Sequence, residues 1–389
     1  MKYLIIIPFG LPWNWSAADE QLTTKYLSKK SLVLTFLILE GVSVRHLFTK
    51  HDQLFSNPFH NIYIFRPIYI LPFQRYSLIK SANYFLACLQ LRVLVRILPT
   101  FNHKRKIYWT SSLQYLVLPH NIGRADLSIY HCVDMPFNGK NVDETANTFE
   151  NQLLRETSIV FTNTKTLYDE KKLLHKRVCL VPVGFDAETI IHKPLSHSIN
   201  VFNNIPHPQI HFVGNINNRI DFPFLYSLIK ETPQYSYVFI GKVDPNYHIP
   251  NDKFDENLAL IKTLDNTYFL GFTPKKLLFS YLHQADITLI PYDISQMFNK
   301  YCYPVKTLEY FYVGKPVIST PISEMTKLSP YVSIVNSSQN AKKVIKKILS
   351  KPWPRSYQLS QRQIAVSNSW ENKINAIRKI LKQEFDISI

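Results

Sequence analysis

Short apolar runs alternate with longer amphipathic stretches along most of the chain. In the first half, Tyr3 to Ile7, Leu32 to Leu37, Ile62 to Phe65, Ile107 to Trp109, Leu127 to His131, Ile159 to Thr162 and Val178 to Pro182 read as strands. Asp19 to Lys29, Gln74 to Ile97, Glu144 to Glu156 and Thr164 to Leu174 repeat their apolar positions at helical spacing. In the second half, strands are predicted at His211 to Val213, Tyr237 to Ile240, Tyr268 to Leu270, Ile287 to Pro291, Pro316 to Ser319 and Val332 to Val335. Helices are predicted there at Phe222 to Lys230, Pro274 to Gln284, Pro304 to Tyr312 and Ala341 to Leu349. Strand and helix in regular alternation is the pattern of a doubly wound α/β domain, and it occurs twice. A chain of 389 residues is too long for one comfortable core. We expect domains at 1–190 and 191–366, facing each other across a central cleft and joined by the polar, proline-containing stretch Ala187 to Pro208. A last helix within 369–389, with Ile374, Ile377 and Ile380 or Leu381 on one face, is expected to complete the first domain.

Glycine sharpens this map. There are only nine, about 2% where roughly 7% is usual. Gly214, Gly241 and Gly271 each follow a predicted strand directly, Gly184 closes the run from Cys179, and Gly314 separates a helix from the next strand. A glycine at a strand's carboxyl end lets backbone approach a ligand, and open parallel sheets bind nucleotides at that end. A single such glycine is equally an ordinary strand-to-loop turn; the series in one half points to a site.

Composition removes some classes. With 46% hydrophobic and 14% aromatic residues the chain is too apolar to be disordered. The opening run to Phe9 is too short for a signal peptide, and arginines and lysines interrupt every long apolar segment, so a soluble, cytoplasmic protein is predicted. The cysteines, Cys88, Cys132, Cys179 and Cys302, show no metal-ligand spacing and read as reduced thiols. No metal site is predicted. The net charge of +17 is uneven: residues 1–124 carry 15 Lys and Arg against four Asp and Glu, a net +11. Such a surface attracts phosphates of nucleic acid, anionic lipid or a polyprenyl-diphosphate acceptor, or serves solubility alone.

Several stretches together resemble the bacterial GT-B glycosyltransferases of surface polysaccharide synthesis, of the teichuronic-acid type and more distantly the xanthan glucuronosyltransferase. Tyr130-His131-Cys132-Val133-Asp134 is similar to that family's Tyr-x-x-x-Asp segment, and a helix with Glu150 and Leu153-Leu154-Arg155 follows it. Val181-Pro182-Val183-Gly184-Phe185-Asp186 resembles the turn that ends the first domain, and Val213-Gly214 with Asn217, Arg219 and Asp221 the opening of the second. Leu289-Ile290-Pro291-Tyr292, Pro304 to Tyr310 and Gly314 to Val317 resemble the donor-binding core. The resemblance implies a GT-B fold of two Rossmann-like domains. It implies transfer from a nucleoside-diphosphate sugar, a UDP-sugar favoured, to a lipid-linked or polysaccharide acceptor. The sugar nucleotide is then a substrate, with no cofactor and no metal. Residues 40 to 125 match least. Many retaining relatives carry two glutamates eight positions apart near the donor helix; here the residue eight before Glu309 is Tyr301.

Such a transfer needs a stabilised diphosphate and a deprotonated acceptor hydroxyl. Pro304 suits a first helical turn, so the amides of Val305 and Lys306 are expected to face the diphosphate, with the Lys306 charge beside them. Glu309, one turn on, could accept from the ribose hydroxyls; Lys306 and Glu309 could equally be a surface i,i+3 ion pair. Gly214, Asn215, Arg219, Gly241, Gly271 and Tyr292 complete the expected donor side. Asp134 and His131 are rival candidates for the general base, each also readable as a structural residue. A carboxylate base at Asp134 gives inversion, as the resemblance implies, and the sequence leaves inversion and retention both open. Gly10, Trp13 and Trp15, after the first strand, are expected on the acceptor side. Basic, amphipathic segments such as Leu89 to Lys106 suit an anionic membrane surface. A nucleotide-sugar epimerase of the same fold, a basic nucleic-acid- or membrane-binding non-enzyme and an inactive scaffold are the alternatives. No nucleic-acid motif appears, and nothing in the sequence speaks to oligomeric state.

Overall fold

The structure, a computed structural model, describes residues 2–9, 13, 19–44, 54–72, 75–111, 119–134, 144–186, 196–244 and 253–389. The described residues divide into two units, those within 1–136, 142–182 and 373–389 in the first and those within 183–372 in the second. The chain thus passes into the second unit after Pro182 and returns at Lys373. These crossings fall where backbone pairing changes partner: Val181 N still donates to Thr162 O, while Phe185 N donates to Asn368 O.

Among the described residues the first unit holds ten strands: β1 (Tyr3–Pro8), β2 (Leu32–Phe36), β3 (Val42–Ser43), β4 (Phe55–Phe59), β5 (Ile62–Phe65), β6 (Ile68–Tyr69), β7 (Arg105–Thr110), β8 (Leu127–Cys132), β9 (Ile159–Thr162) and β10 (Val178–Leu180). Eight form one sheet in the order β10-β9-β8-β7-β1-β2-β5-β4, and β3 and β6 pair separately. Every pair in the large sheet is parallel except β4 with β5. All six residues of β1 are buried, as befits a central parallel strand covered on both faces. The sequence reading missed β4, whose residues Phe55-Ser56-Asn57-Pro58-Phe59 are mostly exposed and include a proline, which an edge strand tolerates.

Among the described residues its helices before the crossing are α1 (Asp19–Ser28), α2 (Ser77–Ile97), α3 (Pro99–Asn102), α4 (Pro119–Ile122), α5 (Glu144–Glu156) and α6 (Lys165–Leu174). Thr164 caps α6, accepting from Leu167 N at 3.2 Å. The inner face of α2, Tyr84, Ala87, Cys88, Leu91 and Val95, packs with Leu4, Ile6, Leu34, Phe36 and Tyr108. A buried ion pair ties α5 to α6. Lys171 Nζ donates to Glu150 Oε2 at 2.8 Å, and Tyr130 from β8 donates to Glu150 Oε1 at 2.8 Å.

The second unit has a six-stranded, wholly parallel sheet: β11 (Gln209–Val213), β12 (Ser236–Ile240), β13 (Thr267–Gly271), β14 (Ile287–Ile290), β15 (Val317–Ser319) and β16 (Val332–Ile334). The order β13-β12-β11-β14-β15-β16 places the first strand in the middle, so the winding reverses between β11 and β14. That reversal is the topological switch point at which such sheets bind ligands. Helices α7 (Phe222–Glu231), α8 (Phe254–Lys262), α9 (Lys275–Gln284), α10 (Met297–Tyr301), α11 (Lys306–Tyr312), α12 (Ser338–Leu349) and α13 (Arg355–Ser367) accompany it. Asp221 caps α7 through Phe224 N at 3.0 Å, with Pro223 in its first turn. The boundary between units falls within α14 (Trp370–Phe385), whose Ile374, Ile377 and Leu381 are buried.

Candidate functional site

The carboxyl ends of β11 and β14 carry the residues expected to hold the donor. Gly214 directly follows β11 at φ 125° and Gly241 directly follows β12 at φ 156°, conformations a side chain resists. A Cβ on Gly241 would stand 2.0 Å from Gly214 O, so the two turns touch backbone to backbone. A Cβ on Gly214 would stand 2.8 Å from Lys306 Nζ. Gly271, at the end of β13, has open space beside it.

Lys306 opens α11, and its ammonium lies 4.1 Å from the Phe212 ring centre and 4.9 Å from that of Tyr292. Among the described residues it has neither a carboxylate within ion-pair distance nor a hydrogen-bond acceptor. The i,i+3 pair with Glu309 is therefore not made. Glu309, half-buried, has its carboxyl held above the ordinary range by burial, against which Lys275 and Lys306 act. Tyr310 fixes the helix to the sheet: its buried hydroxyl accepts from Val213 N at 3.0 Å and donates to Leu289 O at 3.5 Å.

One expectation about this helix changes. Pro304 and Val305 precede α11, Thr307 N donates to Pro304 O and Leu308 N to Val305 O, both at 2.9 Å. Only the amides of Val305 and Lys306 lie ahead of that closed turn. A seven-residue helix aligns few peptide dipoles, so the positive field here comes chiefly from the Lys306 charge.

Arg219 is held from several sides. Its guanidinium lies 4.4 Å from the ring centres of both Tyr292 and Phe298, Nε donates to Asn299 Oδ1 at 2.8 Å, and Nη2 lies 3.2 Å from Cys302 Sγ. Asn299, fully buried, donates in turn to the carbonyls of Arg219 at 3.1 Å and Asp293 at 3.0 Å. Asn215 Nδ2 reaches Asp244 Oδ2 at 3.3 Å. The loops after β11 and β14 are thus one hydrogen-bonded body. Phe298, Asn299 and Lys275 escaped the sequence reading because each acts through a partner distant in the chain.

In the first unit, the end of β8 separates the two candidate bases. Asp134 is exposed just beyond the strand, where Cys132 Sγ approaches its carbonyl at 3.6 Å. His131 is 0% exposed. Its Nε2 lies 3.2 Å from Asn163 Oδ1, and its Nδ1 lies 3.3 Å from Asp19 Oδ2 without a hydrogen bond. Burial, with Lys373 nearby, pushes the imidazole down to about 4 against the pull of Asp19. Lys373 Nζ reaches Asp19 Oδ1 at 3.3 Å and Asn163 Oδ1 at 3.1 Å. Burial raises the Asp19 carboxyl, but Lys373 and His131 more than offset that and hold it below its ordinary value. Nothing local in the sequence marks this cluster, since Asp19 and Lys373 are 354 positions apart. Trp13 packs 5.4 Å from Phe9 and donates its amide to Glu40 Oε1 at 2.6 Å. Gly10 and Trp15 lie outside the described residues.

Known proteins resemble both the sequence and the fold. The family "Glycosyl transferases group 1" matches residues 207–350, which include Gly214, Arg219, Lys306 and Glu309. A Bacillus subtilis (strain 168) protein provisionally named as a teichuronic acid biosynthesis glycosyltransferase is 22% identical over 271 residues. The match covers 65% of this chain and 66%, just under two thirds, of that protein's length. Sucrose-phosphate synthase from Thermosynechococcus elongatus superposes with a TM-score of 0.72 at 14% identity, covering 99% of this chain and 100% of its own. HepE from Anabaena, solved in complex with UDP, gives 0.69 at 14% identity over 98% and 100%. Residues 207–350 are thus similar to the group 1 glycosyl transferases, and the chain has the GT-B fold of the solved glycosyltransferases.

Proposed function

We propose that the protein moves a sugar from a nucleoside diphosphate, UDP favoured, to a saccharide acceptor that is lipid-linked and destined for a surface polysaccharide. The observation that carries this reading is the Lys306 ammonium, held over the glycine turn at the switch point with no counter-ion among the described residues. A fixed cation at that place suits the diphosphate, whose negative charge grows as the glycosidic C–O bond breaks and the leaving oxygen takes the electron pair. Glu309, one turn along, is the acceptor for ribose hydroxyls. The solved Anabaena relative binds UDP, and the Bacillus relative is named for teichuronic acid synthesis, which supports the choice of donor and acceptor class.

Of the two candidate bases we assign Asp134. A base must touch the hydroxyl whose proton it takes. Asp134 is open to solvent, whereas His131 is wholly enclosed and serves the Asp19–Asn163–Lys373 cluster. A carboxylate base acting directly gives inversion at the sugar carbon. We place the protein in the cytoplasm, peripheral at the inner face of the membrane, which the net +11 over residues 1–124 supports.

Thermal-shift titration with UDP, UDP-sugars and other nucleoside diphosphates tests the donor assignment, since specific binding stabilises the folded state by mass action. A uridine compound is expected to raise Tm, and Lys306→Ala to abolish the rise while leaving the ligand-free Tm close to the parent's. If no nucleotide stabilises the parent at millimolar concentration, the donor site is misassigned. Asp134→Asn is expected to keep the UDP shift and lose transfer.

A further inference from the structure

Helix α2 has two apolar faces. The inner one is part of the first unit's core. The outer one presents Leu78, Phe85, Leu89, Val93 and Ile97, spaced seven, four, four and four apart, a single stripe on a helix, and all exposed. The helix is long and apolar enough to cross a membrane, with a mean hydropathy of 1.3 and about one third of its richest stretch buried. Crossing would strip Tyr84, Ala87, Cys88, Leu91 and Val95 from the core, so the outer stripe must be met where the helix lies.

Behind the carboxyl-terminal half of α2 is a cavity of about 170 Å³ whose walls include Arg92, Arg96, Lys106 and Arg124, with Tyr108 and Ile122. Among the described residues no carboxylate side chain forms an ion pair with these four cations. Among the described residues Arg92, Arg96 and Arg124 make no ion pair, and Arg92 Nε is buried without a hydrogen-bond partner. Lys106 Nζ meets only the carbonyls of Asn102 and Lys104, at 3.1 and 2.9 Å. The nearby acids are engaged: Asp126 accepts from Arg105 Nε and Lys106 N, and Glu156 holds His120. Four cations around one apolar-floored cavity, one with a buried unmet donor, ask for an anion. Arg124 precedes β8 and Lys106 is near the start of β7, so the cavity lies at the amino end of the sheet, whereas Asp134 lies at the carboxyl end.

We propose that this cavity binds the phosphate of an anionic lipid headgroup while the outer stripe of α2 lies in the bilayer interface. The charged pocket and apolar stripe share one helix, and anionic lipid supplies both the phosphate and the hydrocarbon. The inference rests on the membrane location proposed above and is independent of the transfer chemistry.

The test is co-sedimentation of the full chain, without donor, with phosphatidylcholine vesicles that contain or lack phosphatidylglycerol. Binding is expected only with phosphatidylglycerol. Arg96→Gln with Arg124→Gln should weaken it by about tenfold or more, two near-surface charges being removed. Leu89→Ser with Val93→Ser should weaken it too. Retention of the UDP thermal shift and of the parent's circular dichroism checks that each variant is folded. Binding that the charge variant leaves unchanged overturns the pocket while sparing the membrane location; no binding to any vesicle overturns both and leaves the donor assignment standing. Inorganic phosphate is the competing arm. If it stabilises the parent but not the charge variant, and vesicles bind neither, the pocket takes soluble phosphate and the lipid assignment fails.

Discussion

Lys306 Nζ lies 2.8 Å from where a Cβ on Gly214 would stand, so the absence of a side chain at one position is what seats the charge of the other. Gly214→Ala would strain a residue at φ 125° and push the ammonium aside, because a lysine tip yields more easily than backbone. Affinity for UDP is expected to fall by about tenfold, roughly the worth of one charge-assisted hydrogen bond. Gly241→Ala would instead drive a Cβ into Gly214 O, which cannot yield, and should cost about 1–3 kcal/mol of stability. Calorimetric titration for the first and urea unfolding for the second separate the two effects.

Arg219→Lys keeps the charge but not the plane. The two ring contacts and the bond to Asn299 use the flat guanidinium, so an ammonium recovers only part of them. A loss of about 1 kcal/mol in urea unfolding is expected, together with weaker UDP binding as the loops after β11 and β14 loosen. Unchanged stability with weaker binding would instead mark Arg219 as a direct ligand contact.

His131 titrates at about 4 in the folded chain and at its ordinary value of about 6.5 once unfolded. Between those values the unfolded state binds the extra proton. The stability contributed by the neutral imidazole is complete above about 6.5 and is lost as pH falls towards 4. From pH 7 to pH 5 the loss from this residue is about 2 kcal/mol. His131→Asn should flatten the urea-derived stability profile in that window. His211, which burial lowers to about 3, adds a parallel slope that the variant retains.

Lys373→Met leaves the Asp19 carboxylate beside His131 without its cation and should cost about 3–5 kcal/mol. Asp19→Asn in the same chain removes the orphaned charge and should restore most of that loss. Additive losses in the double-mutant cycle would mean that the two residues are not coupled.

Much of this was legible before the structure, for identifiable reasons. Buried parallel strands are short, β-rich and punctuated by glycine, so β1, β11 and β12 stand out in the sequence. Helix α8 carries Phe254, Leu258 and Ile261 in one stripe and was passed over, whereas α13 buries only Gln361 and Ala365 and has no apolar stripe to find. Gly184 looked like the strand-end glycines, yet a Cβ there would meet the Trp370 ring at 2.7 Å, a packing constraint. The charge on Lys306 could be located by motif, but its lack of a partner among the described residues is a three-dimensional fact.

The return of the chain at Lys373 has a bearing on biosynthesis. Residues 183–372 are contiguous, so a ribosome delivers the second unit's whole core in one pass. The first unit, although its strands are translated first, lacks Lys373, Ile374, Ile377 and Leu381 until residues 373–389 emerge, and Asp19 waits 354 positions for its cation. Nascent chains usually complete domains in the order they are made. Here the order is inverted, and a chain stalled before Lys373 would carry a finished second unit attached to an unfinished first one.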